Sequence, residues 1–99
     1  MTVQMIHAKI QPESVTDIEA AARKMFAAID VVQPEGIRYA SLLLPDGETF
    51  VALVQLDEGG ENPLPGIPEF RAFLEGVEAS RAEPANVQPM TVIGSYRLF

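Results

Sequence analysis

The chain contains no cysteine and no tryptophan, and its one histidine is His7. Without cysteine there can be no disulfide, no thiolate metal site and no thiol nucleophile. A lone histidine leaves no histidine-metal spacing to find, and no glycine-rich phosphate loop or nucleophile elbow is present either. Basic residues are scarce: seven Lys and Arg stand against fourteen Asp and Glu, a formal charge of -7. Apart from the adjacent Arg23 and Lys24 the cations are scattered singly. With no basic stripe to overcome repulsion by a phosphate backbone, nucleic acid and anionic membranes are not expected partners. No apolar run approaches the roughly 20 residues of a membrane-spanning helix. The start, "MTVQMIHAKI", also lacks the basic, long apolar and small-residue segments of a secretory leader. The expected location is the cytoplasm.

What is present is an ordinary globular composition, 47% hydrophobic and 21% charged over 99 residues. Residues 1–99 are expected to form a single domain, long enough to bury about 60–65% of the unfolded surface. "VQMIHAKI" alternates as a strand, with Ile6, Ala8 and Ile10 on one face and Val3, Met5, His7 and Lys9 on the other. Pro12 breaks it, and Ser14 or Thr16 is placed to cap a helix, Thr16 with Glu19 at the capping-box spacing. Val15, Ile18, Ala22, Met25, Phe26, Ile29 and Val32 then recur every three or four residues, one helical stripe of about five turns. "QPEG" closes the helix, Gly36 being free to take a positive φ.

"IRYASLLL" and "TFVALVQL" read as strands joined by the tight turn "PDGE". Phe70, Phe73, Leu74 and Val77 form a second, shorter helical stripe behind Pro68, weakened at Gly76 by about 1 kcal/mol relative to alanine. "MTVIGSYRLF" reads as a last strand running to the C-terminus. The order β-α-β-β-α-β predicts an α+β, ferredoxin-like fold: a four-stranded antiparallel sheet with two helices on one face. Yet the strands are apolar on both faces. Val51 and Leu53 oppose Phe50, Ala52 and Val54; Ala40 and Leu42 oppose Ile37 and Tyr39. Two helices cover one face, so the other is expected to pair with an identical sheet in a sheet-to-sheet homodimer.

"HAKIQPESVTDIEAAARKMF", the hairpin, "PEFRAFLEG" and the final strand together resemble the dimeric α+β barrel superfamily, in its antibiotic-biosynthesis-monooxygenase-like branch. The likeness lies in element order and hydrophobic pattern over nearly the whole chain. It implies two sheets paired face to face and a small-molecule pocket in each subunit between sheet and helices. Activities in that superfamily include cofactor-free oxidation of phenolic substrates, haem degradation, lactone isomerisation and ligand sensing. The haem-degrading branch uses a helix histidine with asparagine and tryptophan partners. This chain has no Trp and its histidine lies in a strand, so haem is not expected, nor any other cofactor or metal.

Against that background His7 is the candidate catalytic base, the only side chain whose ordinary pKa lies near neutrality. Its alternative is a packed strand residue at a subunit contact. Tyr39, Ser41 and Tyr96 are candidates for orienting a polar group of a ligand, and Arg38 and Arg97 for clamping a carboxylate. Equally open for these residues are buried rings with hydroxyls at an edge, and surface ion pairs. Asp57, Glu58 and Glu61 match no calcium loop and read as a solvated acidic stretch.

"DEGGENPLPGIPEFRAF" is stiffened by three prolines and carries apolar Leu64 and Ile67, which need cover. It is expected to form the rim of a pocket or a subunit contact. Two functions remain in view. One is a cofactor-independent, monooxygenase-like enzyme acting on a small phenolic or enolic metabolite. The other is a non-catalytic module that holds a small apolar or aromatic ligand.

Overall fold

The computed structural model of the chain describes residues 2–98. Strand β1 (Thr2–Lys9) leads through a 3-10 turn at Pro12–Ser14 into helix α1 (Val15–Val32). Strands β2 (Ile37–Leu43) and β3 (Thr49–Leu56) form the hairpin; a second 3-10 turn, Leu64–Gly66, leads into α2 (Pro68–Ser80). Strand β4 (Asn86–Thr91) completes a sheet of order β2-β3-β1-β4 in which the pairs are antiparallel. This is the ferredoxin-like arrangement expected, with both helices against one side of the sheet.

Register decides which residues face the helices. Ile6 lies between Ala52 of β3 and Val87 of β4, and Ser41 of β2 lies opposite Ala52. One residue along, His7 lies between Val51 and Asn86. Because side chains alternate across a strand, the Ile6 row faces the helices and the His7 row faces away. The core follows from this: Ala8, Ile10 and Phe50 of the sheet side pack with Ile18 and Met25 of α1 and Phe70 and Phe73 of α2.

Helix α1 has the expected stripe but not the expected ends. Ser14 is the N-cap, yet it makes no side-chain cap bond. Its φ/ψ of -103/-7 is helical rather than extended, a legacy of the preceding 3-10 turn, so its hydroxyl is not presented to the free N–H groups. At the other end Gln33 takes a left-handed φ of 49° and donates its N–H to the carbonyl of Ile29 at 2.7 Å. The apolar stripe stops at Ile29: Val31 and Val32 are exposed, on the side of the last turn that no described residue covers. In α2, Gly76 has a packing reason. A Cβ there would stand 3.3 Å from Cδ1 of Ile18, so the glycine lets the two helices approach closely.

The hairpin turn is held by Asp46. Its Oδ1 accepts the N–H groups of Glu48 (2.8 Å) and Thr49 (2.9 Å), and its Oδ2 accepts the Thr49 hydroxyl at 2.7 Å. These bonds, the Thr49 hydroxyl first, hold the Asp46 carboxyl below its ordinary pKa.

The last strand differs from the expectation. It begins at Asn86, not Met90, and ends at Thr91, while Phe99 lies outside the described residues. The ladder between β1 and β4 runs from His7–Asn86 to Thr2–Thr91, and among the described residues it includes none of 92–98. Pro89 is tolerated within β4 because β4 is an edge strand, whose outward-facing N–H positions have no partner to lose.

Leu64 and Ile67 find their cover at home. They are 1% and 4% exposed, packed in the chain's own core beneath the helices. The loop before them is locked by local bonds: Asn62 Oδ1 accepts the Leu64 N–H at 3.0 Å, and Arg71 donates to the Pro65 carbonyl at 2.6 Å.

Candidate functional site

Between the sheet and helix α2 lies a cavity of about 260 Å³. Its origin is legible in the register. The central row runs Val87, Ile6, Ala52, Ser41, and its last two side chains are among the smallest a strand carries. Large neighbours on the adjoining rows, Phe50 and Tyr39, and the α2 rings Phe70 and Phe73 stand around this low floor without filling it. Asn62 and Leu64 of the 57–67 loop are among its lining residues. For scale, a dry apolar cavity of about 150 Å³ takes benzene.

The walls are mainly apolar. Polar atoms come from Gln4, Tyr39, Ser41 and Asn62, and no lining residue carries a charge. Tyr39 is the most constrained of the four. Its ring stacks on Phe26 at 5.2 Å between centroids and meets the edge of Phe70 at 6.3 Å. Its hydroxyl donates to the thioether sulfur of Met25 at 3.9 Å, a weak acceptor. Burial pushes the phenol pKa up to about 12. At neutral pH Tyr39 is therefore an uncharged donor whose proton is poorly satisfied, suited to an oxygen of a bound molecule and not to proton abstraction.

The structure brings Tyr39 and Ser41 together at the cavity and places the other candidates elsewhere. His7 is half-buried on the far face of the sheet, between Val51 and Asn86, and does not line the cavity. Arg38 shares that face, opposite Gln55, and is exposed. Tyr96 lies beyond β4, exposed, with the Arg97 guanidinium 5.1 Å from its ring centre. It borders a surface depression with Val3, Leu53 and Met90 on the same far side. Asn62 was not singled out by sequence reasoning; the only signal was an Asn-Pro pair, which marks a turn as readily as a rim.

The far face is part apolar and part polar. Val3 and Val51 are buried, Met5, Ala40 and Leu53 half-buried, and Leu42 exposed. Gln55 is buried among them, 6% exposed, and its Nε2 has no hydrogen-bond partner among the described residues. A buried amide N–H left unpaired costs about 1–3 kcal/mol. Among the described residues no group of three or more His, Asp or Glu side chains is placed to hold a metal ion. No helix among them is long and apolar enough to cross a membrane.

Comparison with solved structures finds the same fold in proteins described as antibiotic biosynthesis monooxygenases. A crystal structure of an antibiotic biosynthesis monooxygenase superposes with a TM-score of 0.75, at 14% identity, covering 95% of this chain and 100% of that one. Rv0793 of Mycobacterium tuberculosis matches with a TM-score of 0.71 at 14% identity, over 95% of this chain and 96% of that one. SnoaB, a cofactor-independent oxygenase from Streptomyces nogalater, matches with a TM-score of 0.67 at 14% identity, over 97% and 96%. At such identities the likeness is one of fold. No protein-family sequence model and no curated protein sequence matches the chain.

Proposed function

We propose that the protein binds a small, uncharged, apolar or aromatic molecule in the sheet–helix cavity and oxidises it without a cofactor, as SnoaB is named for doing. The observation that carries the reading is the pairing of an uncharged, mainly apolar chamber with the poorly satisfied Tyr39 hydroxyl. A phenolic or enolic substrate suits both. Its rings fill the chamber, and its oxygen accepts the Tyr39 proton in place of the Met25 sulfur. No side chain lining the cavity can act as a base near neutral pH, so the substrate must be acidic enough to lose its proton to water. Stripped of solvent, the resulting phenolate or enolate is held by Tyr39 and reacts directly with dioxygen. One oxygen atom enters the product, the other leaves as water, and all four electrons come from the substrate.

His7, Arg38 and Tyr96 belong, in this reading, to the contact between two subunits. The far face supports a sheet-to-sheet homodimer: half-buried Met5 and Leu53 and exposed Leu42 supply apolar area. The same lack of a cavity base also favours the non-catalytic alternative, a module that binds such a ligand reversibly and releases it unchanged.

Oxygen uptake and product analysis with a panel of phenols and enolisable ketones separates the two. Enzyme-dependent oxygen consumption, reduced in Tyr39→Phe, is the expected result. Ligand-induced stabilisation with no product across the panel overturns the enzymatic reading, and absence of any stabilisation overturns the cavity reading itself.

A further inference from the structure

The four polar side chains at the chamber are not equally free. Asn62 Oδ1 already accepts the Leu64 N–H, and the Tyr39 hydroxyl is turned to the Met25 sulfur. Gln4 is exposed, where water serves it. Ser41 is half-buried, and its hydroxyl makes no hydrogen bond among the described residues. One donor and two acceptor positions on that oxygen are left to water or to a bound molecule.

Register fixes the depth at which it lies. Ser41 follows Tyr39 by two residues on β2, so both face the helices, about 6.8 Å apart along the strand. The chamber is exposed at Gln4 and Leu56 and closes at buried Ala8 and Phe50. Tyr39 shares its row with Val54 and Gln4, toward the open end. Ser41 shares its row with Ala52 and Ile6, one step nearer the closed end. Its neighbours on the sheet at that depth and beyond, Ile6, Ala8, Phe50 and Ala52, are all apolar. A molecule held by Tyr39 and by apolar contact alone would press a ring edge against this hydroxyl and strip it of water with nothing in return. A second oxygen on the molecule removes that cost.

We infer that Ser41 is a second hydrogen-bonding group for the ligand, and that the ligand is an aromatic or enolic molecule with two oxygen functions. One oxygen meets Tyr39, and the other lies further in, at Ser41. Both functions are neutral, in keeping with a chamber whose lining carries no charge. The inference rests on the small-molecule reading of the chamber and goes on to name the substrate class and a residue that selects it.

Catechol, resorcinol and hydroquinone carry a second oxygen at three spacings, and each has a methylphenol of the same shape that lacks it. Dissociation constants for the six come from amide NMR titration of the folded protein with dioxygen excluded, so that nothing is turned over. For at least one spacing, the preference for the diol over its methylphenol is expected to fall about fivefold in Ser41→Ala, the effect of losing one net hydrogen bond. Tyr39→Phe is expected to weaken diol and methylphenol alike, since the oxygen it serves is common to both. Ser41 also borders the open groove beside α1, which Ala52 does not. Ala52→Leu therefore fills the chamber alone and is expected to abolish binding of both. A preference unchanged by Ser41→Ala at all three spacings overturns the role of Ser41 and leaves the cavity reading intact. Diol binding that survives Ala52→Leu moves the contact to the groove and overturns it as well. If the folded protein binds none of the six, both readings fall.

Discussion

Replacing Tyr39 by phenylalanine removes one oxygen atom and keeps the ring, which makes the role of that oxygen measurable. The stacking on Phe26 and the edge contact with Phe70, together worth about 1–3 kcal/mol, are retained in the variant. What is lost is a hydroxyl bond to a thioether at 3.9 Å, weaker than the usual intramolecular hydrogen bond of about 0.5–1.5 kcal/mol. What is gained is relief from burying a poorly satisfied hydroxyl, so the two nearly cancel. At pH 7 the variant is expected within about 1 kcal/mol of the parent, or within roughly 4–8 °C in Tm for a domain of this size. At high pH they diverge. The phenol ionises at about 12 in the folded chain against an ordinary value of 10.0. Its contribution is intact below pH 10 and is lost as the pH rises through the folded value. By pH 11 the parent should have lost about 1.4 kcal/mol that Tyr39→Phe keeps. Urea unfolding of both proteins at pH 8 and pH 11, scored as the difference between them, reads this directly. A loss above about 2 kcal/mol at pH 8, or identical pH profiles, would refute the account of Tyr39 as a buried neutral donor with a weak partner.

Ala52→Leu puts a branched side chain on the low floor of the cavity; stabilisation by phenols of the panel should vanish while the circular dichroism of the folded chain is kept, and retained stabilisation would place the ligand elsewhere. Asp46→Asn should remove the acid sensitivity of the hairpin turn. The folded pKa of Asp46 is lowered, so its contribution is present above the ordinary carboxylate value and lost as the pH falls through the folded one. Unfolding midpoints of the two proteins should therefore converge on acidification, and a constant gap down to pH 2 would contradict the cited bonds. Leu53→Lys places a charge in the middle of the far sheet face; sedimentation should shift from a dimer to a monomer, and a parent that already sediments as a monomer removes the sheet-to-sheet proposal.

Much of this molecule could be read from residue order. The stripe from Val15 to Ile29, the alternation in β1, β2 and β3, and the Pro-Asp-Gly turn are local patterns, and each element formed where its pattern lay. Local pattern misled where an element's extent depends on a neighbour. "MTVIGSYRLF" alternates well enough for a strand, but among the described residues its pairing with β1 ends at Thr91. Val32 keeps the helical spacing, but no layer covers it.

The sequence by itself determined the elements, their order and the phase of each strand, because side-chain direction repeats every two or 3.6 residues whatever the surroundings. Only the tertiary structure decided which candidates share a chamber. That depends on cross-strand register, which set Ala52 beside Ser41 to leave the cavity, brought Tyr39 to its wall, and turned His7 to the opposite side of the sheet. Register is a relation between distant segments, settled by how α1, α2 and four strands pack together, and no single stretch of the chain contains it.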